Sequence, residues 1–298
     1  LLRDLQLHIV IPEGTTVLTR LGERVGVVAP SPGAPEGSYR VRFADGTEEH
    51  FRRADLKIFK HAQAAVVDRG DSMDLYRFVN YRCVVGSTAY GLNQEGSDVD
   101  RRGFYLPPAN RHWSLAGVPE QLESETEEVY WEIEKFLRLA LKANPNVLEC
   151  LYSPLVETCT PLAHELLENR QRFLSKFVYQ TYGAYALSQF KKLEQDRRNQ
   201  GQIRWKHAMH LIRLLLSGIA VLRDGFVSLR VDAFREQLLA VRRGEMPWDE
   251  VERWRLSLHK ELDAAFASTS LPERPDSEFA NDFLVRARRL AASKEYAE

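Results

Sequence analysis

Residues 84–103 read Val84-Val85-Gly86-Ser87-Thr88-Ala89-Tyr90-Gly91-Leu92-Asn93-Gln94-Glu95-Gly96-Ser97-Asp98-Val99-Asp100-Arg101-Arg102-Gly103. The apolar pair Val84-Val85 ends a short buried strand over residues 81–85. Gly86 then permits a sharp turn and a close backbone approach. Ser87 puts a hydroxyl beside the free N–H groups of the helical turn that follows, where a terminal phosphate is favoured. It also reads as a plain helix N-cap, a role compatible with phosphate binding. Gly96-Ser97 turns the chain into a second strand, residues 98–106, which Pro107-Pro108 ends. On that strand Asp98 and Asp100 are two apart, so both side chains leave one face. Two carboxylates this close repel unless a cation lies between them, and such oxygen ligands suit Mg²⁺ or Mn²⁺ bridging to phosphates. A simple turn cap at Asp98 is the competing reading.

Outward from this stretch, helix and strand alternate over residues 61–155. The pattern predicts a helix at 71–80 and a third strand at 128–131. A helix at 132–143 follows, with Ile133, Phe136, Leu137, Ala140 and Leu141 on one face. Pro145 stops that helix, and 147–152 reads as a strand or a turn of helix. Residues 156–298 carry helical periodicity throughout, with runs at 161–170, 173–196, 203–223, 231–243, 248–268 and 276–292. Residues 1–60 differ: short β-branched segments at 14–18, 24–28, 38–43 and 48–51 alternate with turns at 21–23, 30–37 and Asp45-Gly46. Asp-Gly between alternating segments is a strong hairpin signal. The run predicts a small SH3- or Tudor-like β-barrel, a fold type with many ligands. It reads equally as a recruiting module for nucleic acid, a recruiting module for protein, or a packing element.

Composition bounds the function. A net charge of -1 with 28% charged residues argues against a bulk nucleic-acid coat protein. No apolar run approaches the ~20 residues of a membrane span. The start, Leu1-Leu2-Arg3-Asp4, has no signal-peptide pattern. The three cysteines, Cys83, Cys150 and Cys159, form neither a disulfide framework nor a zinc spacing, and Cys83 reads as a small core residue. A reducing cytoplasm is the expected compartment.

One stretch departs from the neutral balance. Residues 189–213 hold Lys191, Lys192, Arg197, Arg198, Arg204, Lys206 and Arg213 against only Glu194 and Asp196. Lys206, His210 and Arg213 recur at spacings of four and three and share one helical face, with Leu211, Leu214 and Leu215 suited to the buried side. That face is either solvated or the wall of an anion-binding cleft. Tyr179, Tyr182 and Tyr185 recur at three-residue spacing and read as core, with base stacking the lesser alternative.

The ordered set Gly86-Ser87, intervening residues 88–97, then Asp98-x-Asp100 resembles the signature of the DNA polymerase β nucleotidyltransferase superfamily. More narrowly, three segments look like the RNA repair pathway DNA polymerase beta family of bacteria and phages. They are Gly86-Ser87-x-x-Tyr90-Gly91-Leu92, Gly96-Ser97-Asp98-x-Asp100-x-Arg102-Gly103, and Lys135-Phe136-Leu137 onward through Asn144-Pro145-Asn146 to Glu149. The resemblance runs through Lys206-His207-Ala208-Met209-His210 and does not reach the N-terminal barrel. Together with the residue patterns it gives an α+β chain: a barrel at 1–60 and an α-helical domain at 156–298 read from those patterns, and at 61–155 the polymerase-β-type nucleotidyltransferase core of mixed sheet and helices that the resemblance implies. It implies metal-dependent transfer of a nucleotide from a nucleoside triphosphate to an acceptor hydroxyl, most plausibly an RNA end, by a two-metal mechanism. Asp98 and Asp100 would hold Mg²⁺ or Mn²⁺. A third carboxylate is expected on a neighbouring strand just before the helix that contains Lys135; the candidates are Glu127, Glu128 and Glu132, with Glu127 preferred and Glu128 the close second. Gly86, Ser87, Tyr90, Arg102, Lys206, His210 and Arg213 would contact the nucleotide. Two other functions stay open: a catalytically weak nucleotide- or RNA-binding module, and an enzyme that nucleotidylates protein.

Overall fold

The computed structural model describes residues 11, 13–19, 24–29, 38–52, 55–60, 74–93, 96, 98–124, 127–201, 203–293 and 296. The expected turns at 21–23 and 30–37, and Ser97 of the Gly96-Ser97 turn, lie outside the described residues. The chain divides into two compact units, Leu1–Ser72 and Met73–Glu298.

The first unit contains β1 (Thr16–Thr19), β2 (Val25–Val28), β3 (Ser38–Phe43), β4 (Glu48–Arg52) and β5 (Leu56–Lys60), all antiparallel in the order β4-β3-β2-β1-β5. Alternation decides which side is buried: Val17, Val28, Val41 and Phe43 point inward with Ile11 and Leu56. At Asp45-Gly46 the carboxylate of Asp45 accepts the N–H of Thr47 at 2.9 Å, and Gly46 takes φ 82°. Where the sequence leads to a closed barrel, the described strands form an open sheet with β4 and β5 at its edges.

In the second unit a 3₁₀ turn, Leu75–Phe78, is capped by Asp74 and leads into β6 (Val79–Val84). The expected helix over 71–80 is thus confined, among described residues, to one turn. Val79 pairs with Tyr105, and Val79 and Asn80 are buried in the sheet. After β6 come α1 (Gly86–Tyr90), β7 (Arg101–Tyr105), α2 (Ala109–His112), β8 (Gln121–Glu123) and β9 (Glu128–Glu132). Next are α3 (Ile133–Leu141), α4 (Pro145–Tyr152) and β10 (Val156–Cys159). The sheet order is β10-β6-β7-β9-β8, antiparallel except for the parallel pair β7 and β9.

Three local readings change here. The second strand begins at Arg101, not Asp98, because β6 turns away at Gly86 and leaves residues 98–99 without a partner strand. One ladder bond, Val85 N–H to the Asp100 carbonyl at 2.9 Å, extends the pairing as far as Asp100. Residues 147–152 are helical: α3 ends at Leu141, ahead of Ala143 at φ 51°, and Pro145 instead starts α4 at its first position, with Asn144 Oδ1 accepting the N–H groups of Asn146 and Val147. The sheet also runs past residue 155, since β10 pairs with β6.

The helices that follow are α5 (Pro161–Glu168), α6 (Ala184–Gln200), α7 (Trp205–Asp224), α8 (Arg235–Arg243), α9 (Trp248–Ser268) and α10 (Ser277–Ala291). A π-helical turn, Tyr179–Gly183, runs directly into α6. The apolar α7 is the centre of this layer and packs against α6, α8 and α9. One large core joins Tyr81, Cys83, Phe104 and Trp131 of the sheet to α3, α4 and α7, and a smaller cluster of Val79, Tyr105, Leu122 and Tyr130 covers the other face. Arginines of α8 fasten the segment after α1: Arg235 Nε donates to the Gly91 carbonyl at 3.0 Å and Arg242 Nη1 to the Leu92 carbonyl at 3.1 Å. No helix among the described residues is long and apolar enough to cross a membrane.

Candidate active site

Where β6 ends, Gly86 takes φ 69°, which an L side chain resists. Its missing side chain leaves room for a carboxylate: a Cβ there would lie 2.1 Å from Asp100 Oδ2. The other oxygen, Asp100 Oδ1, is 3.4 Å from Arg102 Nη2. Arg102 also donates through Nη1 to the Glu127 carbonyl at 2.5 Å and the Arg101 carbonyl at 2.9 Å. The guanidinium therefore joins the start of β7 to the residue before β9.

These residues border a cavity of about 540 Å³, a size typical of small-molecule sites. Val85, Gly86, Ser87 and Tyr90 line it from the β6–α1 turn, with Asp100 and Arg102 from β7 and its lead-in. From α7 come Lys206, His207, His210 and Arg213, with Leu211 and Leu214. The α4 start adds Asn144, Pro145, Asn146 and Glu149, and the π turn with α6 adds Thr181 and Tyr185. Of the residues expected from sequence, Gly86, Ser87, Tyr90, Asp100, Arg102, Lys206, His210 and Arg213 come together here. Asp98, Glu127 and Glu128 are not among the lining residues. Asp98 and Glu127 are exposed, and Glu127 holds φ 59°. Glu128 accepts the hydroxyl of Tyr130 at 3.0 Å, and Tyr130 belongs to the cluster on the opposite sheet face.

Beneath the cavity lies a buried charged network. Glu149 accepts Arg213 Nη1 at 2.8 Å and the hydroxyl of Tyr90, with side-chain exposures of only 3% for Glu149 and 7% for Arg213. The Arg213 guanidinium sits 3.7 Å above the Tyr90 ring, a cation–π arrangement. Burial raises the pKa of the Tyr90 phenol, and Glu149 adds to this while Arg213 opposes it. Burial alone would lower the Arg213 pKa, but Glu149 and Tyr90 outweigh it and raise it. An ion pair at this depth is worth little net but is costly to break.

His210 is pushed down to about 4, first by burial and then by Arg213 and Lys206. It is neutral near pH 7, so its ring has one donor and one acceptor nitrogen. His207 is lowered as well, by burial and then by Arg204 and Lys192. Lys206 is exposed at the cavity and makes no ion pair among the described residues.

No group of three or more His, Cys, Asp or Glu gathers as a metal cage among the described residues. Mg²⁺ needs no such cage: it keeps several waters and takes one or two carboxylates together with substrate phosphates. Asp100, half-buried at the cavity wall and only loosely held by Arg102 at 3.4 Å, is such a carboxylate, with Asp98 two residues before it.

A model of the RNA repair pathway DNA polymerase beta family matches residues 59–286. The chain belongs to this family. The matched span takes in every lining residue of the cavity, and the family's description joins polymerase β-like nucleotidyl transfer to RNA repair. The chain is also 34% identical over 80 residues to the uncharacterized protein YcgL of Bacillus subtilis (strain 168). That segment is 26% of this chain and 31% of that protein, so the match spans about a third of the relative's length. No solved structure matches the chain.

For a member of this family, the lining residues to which the sequence gives no role of their own are Asn144, Asn146, Glu149, Thr181 and His207, while Tyr185, read as core with base stacking as the alternative, is exposed at the cavity. Asn144, Asn146 and Glu149 stand inside the very run that carries the resemblance. The signal for Glu149 was there: a Glu at a position that α4 otherwise fills with buried Val147, Leu148, Cys150 and Leu151 is a buried carboxylate in need of a cation.

Proposed function

We propose that the cavity binds a nucleoside triphosphate and transfers its nucleotide to an acceptor hydroxyl, with an RNA end as the acceptor. The observation that carries this reading is the apposition of Gly86 and Asp100 at the wall of a basic cavity, in a chain of a polymerase β-like family. The open N–H groups after Val85, where no side chain caps the turn, and the Ser87 hydroxyl hold the terminal phosphates. Lys206 supplies a charge not committed to a protein carboxylate, and neutral His210 donates one hydrogen bond. Arg213, already bound to Glu149, holds its wall in place and adds field more than a direct grip.

Asp98 and Asp100 would hold Mg²⁺ or Mn²⁺. Bound there, the ion neutralises charge on the phosphates and makes the acceptor hydroxyl more acidic. Asp100 is oriented by Arg102 and by the bare face of Gly86. Glu127 is the preferred third carboxylate, since its own carbonyl is tied to the same Arg102 that contacts Asp100. Glu128 is committed to Tyr130. The acceptor proton passes to a carboxylate of this set as the acceptor oxygen bonds to the α-phosphorus and pyrophosphate leaves.

A second reading, a binding module with weak catalysis, draws on one observation: the third carboxylate does not line the cavity. The deciding experiment supplies each α-labelled ribonucleoside triphosphate with Mg²⁺ or Mn²⁺ and a mixed RNA pool, beside an Asp98→Asn, Asp100→Asn double variant. Label in RNA that the variant loses supports transfer. Label on protein moves the acceptor to a polypeptide. Metal-dependent nucleotide binding with no label anywhere favours the binding module.

A further inference from the structure

The cavity lining changes chemistry from one part to another. Around Gly86, Asp100, Arg102 and α7 it is charged, whereas Asn144, Asn146, Thr181 and Tyr185 carry no charge at all. These four line the same cavity despite their separation in sequence. Thr181 Oγ1 donates to the Lys142 carbonyl at 3.1 Å and so ties the π turn to the junction from which α4 starts. Asn144 already occupies the N–H groups of Asn146 and Val147, so this helix start is not an open anion site.

Tyr185 is the odd member of its tyrosine series. Tyr179 stacks on Phe266 at 4.3 Å between ring centroids and donates to Asp263 at 2.9 Å. Tyr182 is fully buried and lies against Gly218. Tyr185 is 49% exposed, lines the cavity, and has no ring or hydrogen-bond partner among the described residues. The π turn just before it widens the helix by one residue per turn, the kind of interruption common at functional sites. The side-chain amide of Asn146, also exposed, offers a donor and an acceptor side by side. A flat ligand with an apolar face and a hydrogen-bonding edge fits both groups.

We propose that Tyr185 and Asn146 form the nucleobase subsite of this cavity, with the ring stacked on the base and the Asn146 amide at its edge. The inference rests on the nucleotidyl-transfer reading and assigns the base end of the same substrate. A phenol ring supports any base by stacking, so Tyr185 sets affinity. An amide distinguishes bases by their donor and acceptor pattern, so Asn146 sets preference.

The test compares two kinds of ligand on the full chain in Mg²⁺ by titration calorimetry: each of the four ribonucleoside triphosphates, and inorganic tripolyphosphate, which has the charge without the base. Tyr185→Ala should weaken nucleoside triphosphates about tenfold and leave tripolyphosphate unchanged, with Tyr185→Trp restoring the loss. Asn146→Asp should change the ranking of the four bases and not merely scale it. Equal weakening of both ligands by Tyr185→Ala, or no weakening of either, would overturn the proposal while leaving the nucleotide site standing. Wild-type protein that binds neither ligand would overturn the nucleotide reading and this inference with it.

Discussion

A side chain at position 86 and the carboxylate of Asp100 exclude each other: an added Cβ would sit 2.1 Å from Oδ2. With φ at 69° as well, Gly86→Ala carries both backbone strain and a clash. The strain alone costs about 1–3 kcal/mol. Displacing Asp100 by about 1 Å should lower transfer roughly a hundredfold. A thermal melt beside a label-transfer assay checks both effects. Unchanged activity would mean that the Asp100 position is irrelevant to the chemistry.

Asp100→Asn should reduce transfer by roughly a thousandfold, the scale of several kcal/mol of charge stabilisation, with little change in melting. Asp98→Asn should do likewise despite the exposure of Asp98. Isotherms for Mg²⁺ with a nonhydrolysable triphosphate analogue would separate lost metal binding from lost fold.

The third carboxylate can be resolved by exploiting the left-handed backbone at Glu127. Glycine suits φ 59°, so Glu127→Gly should raise stability by up to about 1 kcal/mol and keep the carbonyl that Arg102 uses. If the Glu127 side chain serves catalysis, activity falls as stability rises. Glu128→Gln should leave transfer near wild type. The reverse pattern would transfer the role to Glu128.

Breaking the buried network should cost far more than its net worth. Arg213→Met leaves the buried Glu149 without its cation, and Glu149→Leu leaves Arg213 without its carboxylate. Each should lose about 3–5 kcal/mol in urea unfolding. The double variant should lose clearly less than the two combined, because neither charge is then stranded. Additive losses would show that the two residues act independently.

The depressed pKa of His210, about 4, gives stability a definite pH sign. Between its unfolded value near 6.5 and 4, the unfolded chain binds a proton that the folded chain does not. Stability therefore rises with pH across that window and is flat above it for this group. His210→Gln should lose part of the decline seen in wild type between pH 6.5 and 4. Identical pH profiles would exclude His210 as a contributor.

Local signals made much of this site readable before any coordinates. Gly86, Ser87 and Asp100 announce themselves within fifteen residues, because turn chemistry and strand alternation act over short distances. Lys206, His210 and Arg213 were placed on one face by helical spacing alone. The Glu149–Arg213 pair was not legible. Its members lie 64 positions apart, and no periodicity links a Glu in one apolar helix to an Arg in another. The strand start at Arg101 escaped because alternation continues through Asp98 and Asp100, although the partner strand has already turned away. The edge strand β10 was missed because Val156-Glu157-Thr158-Cys159 is mostly exposed and has no alternating apolar signature.

The clasp of Arg235 and Arg242 on the carbonyls of Gly91 and Leu92 bears on how the cleft works. Together with the Glu149–Arg213 pair, it joins helices and sheet on both sides of the turn that begins at Gly86. Contacts of this kind oppose a hinge motion at that turn, so a ligand would meet a cavity with little ordering left to do on arrival. If the cavity carries out the proposed nucleotidyl transfer, binding free energy that a jaw-like enzyme diverts into closure would be available to grip the reacting phosphate.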